Sequence, residues 1–153
     1  MEGRMKFLVL NGPNLNLLGE REPGIYGRTS LGELEDLCRE WGAGRDVEVT
    51  CAQSNSEGVL IDLLHAARRE TAGVVLNAGG YTHTSIALRD AVAALDIPVV
   101  EVHLTNTSKR EEFRRHSFLT PVAAGLIMGF GPAGYLLALE GLLGISAGKS
   151  SLG

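Results

Sequence analysis

The sequence predicts an α/β fold in which a five-stranded parallel sheet lies between two layers of helices. Two observations carry that expectation. Short apolar runs rich in β-branched residues recur at Phe7 to Leu10, Val47 to Ala52, Val74 to Leu76, Ile97 to Val102 and Val122 to Met128, with segments between them long enough for helices. The runs are of unbroken apolar character, as strands are when crossover helices cover both faces of their sheet. The expected architecture is a flavodoxin-like three-layer sandwich with strand order 2-1-3-4-5.

Each element has a local justification. The first strand runs into Asn11-Gly12-Pro13-Asn14. The next segment, Gly19 to Gly27, is longer than the usual connection of about 2 to 6 residues. A solvated surface loop is the commoner meaning of such a composition. Here glycines stand at both ends and Arg21 and Tyr26 are mounted over the crevice edge, which favours a lid. Ser30 and Glu33 form a capping box ahead of Leu34, Leu37, Cys38 and Trp41 at helical spacing, and Ser54 with Glu57 repeats the signal before Val59, Leu60, Leu63 and Leu64. The third strand leads into Asn77-Ala78-Gly79-Gly80 with His83 close behind, and the fourth into His103-Leu104-Thr105-Asn106. The stretch Gly129 to Gly134 fits GxGxxG, but a dinucleotide site needs a further strand and an acidic residue roughly 20 positions on. It is read instead as close packing and a helix start with Pro132 in the first turn. Residues 1–143 form one domain in this reading, and 144–153 a flexible tail with little to pack.

Composition narrows the function. A chain of 153 residues, 44% hydrophobic and 21% charged, suits one globular domain. The net charge of -4 offers no basic face for nucleic acid. Anions must then be gathered by a few placed arginines, and of the 14 basic residues all but Lys6, Lys109 and Lys149 are Arg. Cys38 and Cys51 read as buried thiols in a reducing compartment, neither of them a nucleophile. Met1 to Lys6 lacks the apolar stretch of a signal peptide, and no run approaches the ~20 residues that span a bilayer. A cytoplasmic protein without a membrane segment is expected.

In an open parallel sheet the ligand crevice lies beyond the carboxyl ends of the strands, where strand order reverses. With order 2-1-3-4-5, Asn14, Asn77, His83 and His103 converge there. The four histidines show no metal-ligand spacing, and His65 and His116 are expected on helix surfaces. No GxSxG elbow exists, Ser85 sits at a helix start, and no lysine has the buried apolar setting that prepares a Schiff base. General acid–base catalysis without metal or cofactor survives. Candidate bases are Tyr26, His83 and His103; candidate anion holders are Arg21, Arg110, Arg114 and Arg115. Cationic arginines beside a tyrosine favour its phenolate, which makes Tyr26 a credible base. Asn14, Asn77 and nearby backbone amides could serve an oxyanion such as an enolate, so proton abstraction beside a carbonyl is the natural reaction class. The rival reading is a flavodoxin-like binding or regulatory module. It would want clustered acidic residues or a phosphate loop after the first strand, where this chain has Asn11 and Asn14.

Several stretches resemble the type II dehydroquinate dehydratase family: Leu10-Asn11-Gly12-Pro13-Asn14-Leu15-Asn16, Gly19 to Gly27, Gln53-Ser54-Asn55-Ser56-Glu57-Gly58, Asn77-Ala78-Gly79-Gly80, Thr82-His83-Thr84-Ser85, Leu88-Arg89-Asp90, Glu101-Val102-His103, Arg110-Glu111-Glu112-Phe113-Arg114 and Gly134-Tyr135. The likeness runs from Phe7 to about Leu143, in order and with the expected spacings. It implies anti elimination of water from 3-dehydroquinate, through an enolate, to 3-dehydroshikimate in the shikimate pathway, with no cofactor. By that resemblance Tyr26 is the base, Arg21 activates it, His103 is the acid, Glu101 orients His103, and Asn14 helps hold the water and enolate. Asn77, His83 and Arg114 would bind substrate hydroxyls, and the amides of Leu104 and Thr105 the carboxylate. The resemblance further implies a homododecamer of four trimers in which Asp90 reaches a neighbour's site. Two departures stand out: Thr105 where the family usually has Ser, and the stretch Thr107-Ser108-Lys109. The retained hydroxyl predicts that carboxylate binding survives with altered affinity.

Overall fold

The computed structural model of the chain describes residues 3–152. Its strands are β1 (Met5–Asn11), β2 (Val47–Gln53), β3 (Gly73–Asn77), β4 (Val99–His103) and β5 (Gly125–Met128). All neighbouring strands are parallel, and their order is β2-β1-β3-β4-β5, as the sequence predicts. The helices are α1 (Pro23–Tyr26), α2 (Leu31–Ala43), α3 (Glu57–Glu70), α4 (Ile86–Ala93) and α5 (Ala133–Leu152). Alternate residues of each strand face opposite sides. Phe7, Val9, Val75, Val100 and Val102 therefore join one core with Leu34, Cys38 and Trp41 of α2 and Tyr135, Leu139 and Leu142 of α5. Leu8, Leu10, Val74, Leu76 and Val99 join a second core with α3 and α4, through Leu60, Leu64, Leu88 and Val92. Two apolar layers thus clamp the sheet, and strands β1 and β3 are buried from both sides.

Several boundaries differ from the sequence expectation for local reasons. The Ser30–Glu33 capping box forms, with both reciprocal bonds present. The next cap lies at Ser56 rather than Ser54: the Ser56 hydroxyl accepts from Val59 N, while Ser54 accepts from Ser56 N. Glu57, freed from a capping box, instead accepts the hydroxyl proton of Ser85, the N-cap of α4. Leu37 and Val59 lie on the outer helix faces, more than a third exposed. Strand β4 begins only at Val99, after Pro98, which has no N–H to give a ladder. Residues Thr120–Val122 form a tight helical turn led by Pro121, so β5 starts at Gly125 instead of Val122. His65 is exposed on α3, but His116 lies in a loop. The stretch from Gly144, expected to pack little, continues α5 to Leu152, and Ile145 and Ser146 line a shallow groove with Met5 and Ala72.

Register sets the height of the site. Asn11 pairs with Gln53 on one side and Asn77 on the other, so β1, β2 and β3 end together. The ends are clamped from α5, whose buried Tyr135 donates its hydroxyl to Asn11 Oδ1 and accepts from Asn77 Nδ2 at 2.8 Å. Removing that hydroxyl leaves two buried amides short of a partner, at a cost of about 1–3 kcal/mol. Tyr135→Phe is accordingly expected to lower the unfolding free energy by an amount in that range, read as a lower urea midpoint at unchanged m. An unchanged midpoint would mean the clamp contributes nothing.

Candidate active site

The turns that leave β1 and β3 touch. Gly12 N donates to Asn77 O at 2.7 Å, and a Cβ at position 12 would meet Ala78 O at 2.5 Å, so only glycine lets the two turns close. Asn14 follows in the left-handed region at φ 70, a conformation asparagine tolerates better than most residues. Its backbone N–H donates to Asn55 Oδ1 at 3.0 Å, and Gln53 Nε2 holds that same oxygen at 3.1 Å. The end of β2 therefore fixes the turn after β1.

Above these turns lies a cavity of about 150 Å³. Asn14, Arg21, Tyr26, Asn77, His83, His103, Leu104, Thr105 and Arg114 all line it, as the sequence expects, and so does Arg110. Glu101 stands behind His103 without lining the cavity. Asp90 lies elsewhere, exposed on α4, and the chain does not bring it to its own cavity.

One wall holds an imidazole. His103 is buried, and its Nε2 lies 2.6 Å from Glu101 Oε2. A carboxylate only accepts, so Nε2 carries hydrogen and Nδ1 is the nitrogen left for the cavity. Glu101 is 1% exposed. Burial alone would raise its pKa, but hydrogen bonds from His103, Thr120 and Ser117 and the His103 charge outweigh burial and hold it below the ordinary value. His83 stacks nearby, with ring centroids 6.4 Å apart. Its Nδ1 lies 2.7 Å from His116 O, a carbonyl that can only accept, so neutral His83 offers Nε2 as an acceptor. Burial, opposed by the bond to His116, keeps its pKa below the usual imidazole range.

The same cavity is lined by the phenol of Tyr26. Tyr26 closes the short helix α1 inside the Gly19–Gly27 segment, and its ring packs against the α2/α5 core. Arg110 Nη1 donates to the Tyr26 oxygen at 2.8 Å. Arg21 instead lies 5.1 Å from the ring centroid and 3.7 Å from the Glu22 carboxylate. The sequence assigned activation of Tyr26 to Arg21 and held Arg110 only as an anion holder, so the direct contact is the one it missed. A tight turn at Thr107–Lys109, capped by Asn106, precedes Arg110 and carries no helical periodicity that could have signalled it. Arg114 Nε is bonded to Glu111 at 3.1 Å, and Arg115 is exposed with its Nε on Arg110 O. The thiols are far from nucleophilic: burial pushes Cys38 up to about 12 and Cys51 to about 11. Among the described residues no group of three or more His, Cys, Asp or Glu could hold a metal ion. No described helix is long and apolar enough to cross a membrane.

Fold and cavity together define an α/β protein in which a phenol–arginine pair and an imidazole–carboxylate pair share one cavity at the carboxyl ends of a parallel sheet. Residues 5–143 match the model of the family described as dehydroquinase class II. A 3-dehydroquinate dehydratase of Variovorax paradoxus is 56% identical, over 90% of this chain and 98% of its own length. The 3-dehydroquinate dehydratase 2 of Pseudomonas aeruginosa is 58% identical, over 87% of this chain and 90% of its own. The crystal structure of the type II dehydroquinase of Butyrivibrio crossotus superposes with a TM-score of 0.89 at 46% identity, covering 91% of this chain and 97% of that one. The chain belongs to the class II dehydroquinase family.

The depressed Glu101 pKa gives a pH signature. A carboxyl lowered on folding contributes stability that is present above its unfolded value, about 4.3, and lost as pH falls through the folded value. The gap in urea midpoint between the wild type and Glu101→Gln should therefore be largest near neutrality and shrink below about pH 4.5. A gap that stays constant down to acid would contradict the assignment.

Proposed function

We propose that this protein is a 3-dehydroquinate dehydratase, a hydro-lyase of the shikimate pathway that forms 3-dehydroshikimate by anti elimination through an enolate. The observation that carries this reading is that Tyr26, bonded to a cation, and His103, bonded to a carboxylate, line one cavity. Tyr26 as phenolate takes the proton at C2, next to the ketone. The electron pair moves onto the carbonyl oxygen, where Asn14 helps hold the enolate and a water. Collapse of the enolate expels the C1 hydroxyl, which takes the Nδ1 proton of His103 in its imidazolium form and leaves as water, and the ring is left neutral with Nε2–H on Glu101. Arg110 offsets the phenolate charge directly; Arg21 adds a second cation over the ring as the lid closes. Asn77, His83 and Arg114 receive substrate hydroxyls, and the Leu104–Thr105 segment the carboxylate. Each step is a proton transfer between side chains of this chain and the substrate, so the reading assigns no cofactor and no metal.

The same reading places the enzyme in the cytoplasm as a homododecamer of four trimers. Asp90 supports the assembly: a residue the resemblance assigns to a neighbour's site lies exposed on α4, away from its own cavity. Light scattering on the full chain should give the mass of a dodecamer, and a fully active monomer would refute the assembly.

The chemistry has a direct assay, because the product is a conjugated enone. Adding 3-dehydroquinate to the pure protein should raise ultraviolet absorbance, and chelator should leave the rate unchanged. Tyr26→Phe deletes the base but keeps the ring, so turnover should fall about 10²- to 10⁴-fold while KM moves much less. Near-normal turnover in that variant would transfer the base role to His83.

A further inference from the structure

Glu101 is held by more than its histidine. Ser117 Oγ donates to Glu101 Oε2 at 2.9 Å, and Thr120 Oγ1 donates to Oε1 at 2.6 Å. Both residues lie in the segment between Arg114 and β5, pinned by Leu119, which is 1% exposed. The Ser117 hydroxyl has no freedom in its direction. Its oxygen already accepts from Leu119 N at 3.0 Å and Thr120 N at 3.2 Å, which uses both lone pairs and leaves its single hydrogen for Glu101. Such a serine can serve only an acceptor. With Thr120 on the other oxygen and His103 Nε2 beside Ser117, the carboxylate receives three donors from two elements.

We propose that Ser117 and Thr120 are positioning residues for the acid, which fix Glu101 as an oriented carboxylate and so hold His103 with Nδ1 toward the cavity. The proposal rests on the dehydratase reading for its kinetic consequence, but not for its structural one. A protonated Glu101 would be a poorer acceptor for all three donors, and each donor is fixed: Ser117 by two amides, Thr120 by the turn it opens, His103 by the strand. The titratable group facing Glu101 is His103 on its own strand, with His83 from the turn after β3 beyond it. The segment before β5 brings only hydroxyls.

The test compares Thr120→Val, Thr120→Ser and the double variant Ser117→Ala/Thr120→Val, in the full-length protein, by kinetics from acid to alkaline pH and by proton NMR of the ligand-free enzyme. Hydrogen bonds to a charged group are worth enough that kcat at neutral pH should fall about 10-fold in Thr120→Val and further in the double variant, with KM little changed. Without its hydroxyl donors Glu101 keeps its proton to higher pH, so the acidic limb of the kcat profile should move to higher pH. Thr120→Ser, which keeps the hydroxyl, should restore both. In the NMR spectrum the His103 Nε2 proton, bonded to a buried carboxylate, should resonate far downfield in the wild type and shift in Thr120→Val. That signal needs no turnover. If it shifts as stated while the wild type fails to dehydrate 3-dehydroquinate, the substrate assignment falls and the positioning role stands. Should the double variant not fold, the Thr120→Val and Thr120→Ser pair decides alone. An unmoved resonance with an unmoved acidic limb, or a Thr120→Ser variant as impaired as Thr120→Val, would overturn the proposal.

Discussion

The hydroxyl of Tyr135 holds the catalytic edge together. It comes from α5, yet it bonds the side chains of Asn11 and Asn77, which are register partners at the ends of β1 and β3. A tyrosine hydroxyl with no exposure must find partners or lose the hydrogen bonds that water gave it. Burial also pushes its pKa well above the ordinary phenol value, so it stays a neutral donor and acceptor throughout the working range. From this clamp the geometry propagates outward. Asn77 Oδ1 accepts from Gly79 N at 3.1 Å, which folds the chain into the tight turn Gly79–His83 and delivers His83 to the cavity. Gly12 closes against the same turn and sets the start of the Asn14 loop. The two turns and the histidine thus share one anchor on a helix that carries no catalytic residue.

The cavity divides its charges by wall. The phenol of Tyr26 meets a guanidinium, and the imidazole of His103 meets a carboxylate. An elimination through an enolate needs a base for the proton and then an acid for the hydroxyl, in one site. Environments of opposite sign are the general way one site hosts both roles. Different elements supply the two. Tyr26 sits on the Gly19–Gly27 segment and is bonded to Arg110, which follows β4. The His103–Glu101 pair is built wholly from β4 and the segment before β5.

The fold was legible because it depends on period and composition, which a sequence displays. Strand order, both capping-box serines' helices and the convergence of Asn14, Asn77, His83 and His103 all rest on such signals. The misplacements are local. Ser54 and Ser56 are both good caps two residues apart, and only the trajectory leaving β2 decides between them. The apolar run from Val122 reads as strand, yet Pro121 had already committed Thr120–Val122 to a turn. Within the site, Arg110 was visible as an arginine but its partner was not, because Tyr26 lies 84 residues away and the intervening turn has no periodicity. Ser117 and Thr120 gave no signal at all. Hydroxyls in loops are ordinary, and their task appears only when β4 places Glu101 beside them.

The glycine-rich stretch after β5 shows how a pattern can be real while its usual meaning fails. Gly129 to Gly134 has the spacing of a dinucleotide-binding turn, and it does link a strand to a helix. What the glycines accomplish here is contact between protein and protein. A Cβ on Gly134 would sit 3.4 Å from Val102 Cγ2 and 3.5 Å from Ile127 Cγ2, in ordinary van der Waals contact, so the first turn of α5 leaves room there for a methyl group and for little more. A larger residue at that point would lift the first turn of α5 off β4 and β5. The next residue is Tyr135. Its hydroxyl reaches along the face of the sheet that α5 covers, to the ends of β3 and β1, to bond Asn77 and Asn11, so the depth at which the helix packs bears on whether the clamp can form. The same small residue that serves a pyrophosphate elsewhere serves here to bring one tyrosine within hydrogen-bonding distance of two asparagines.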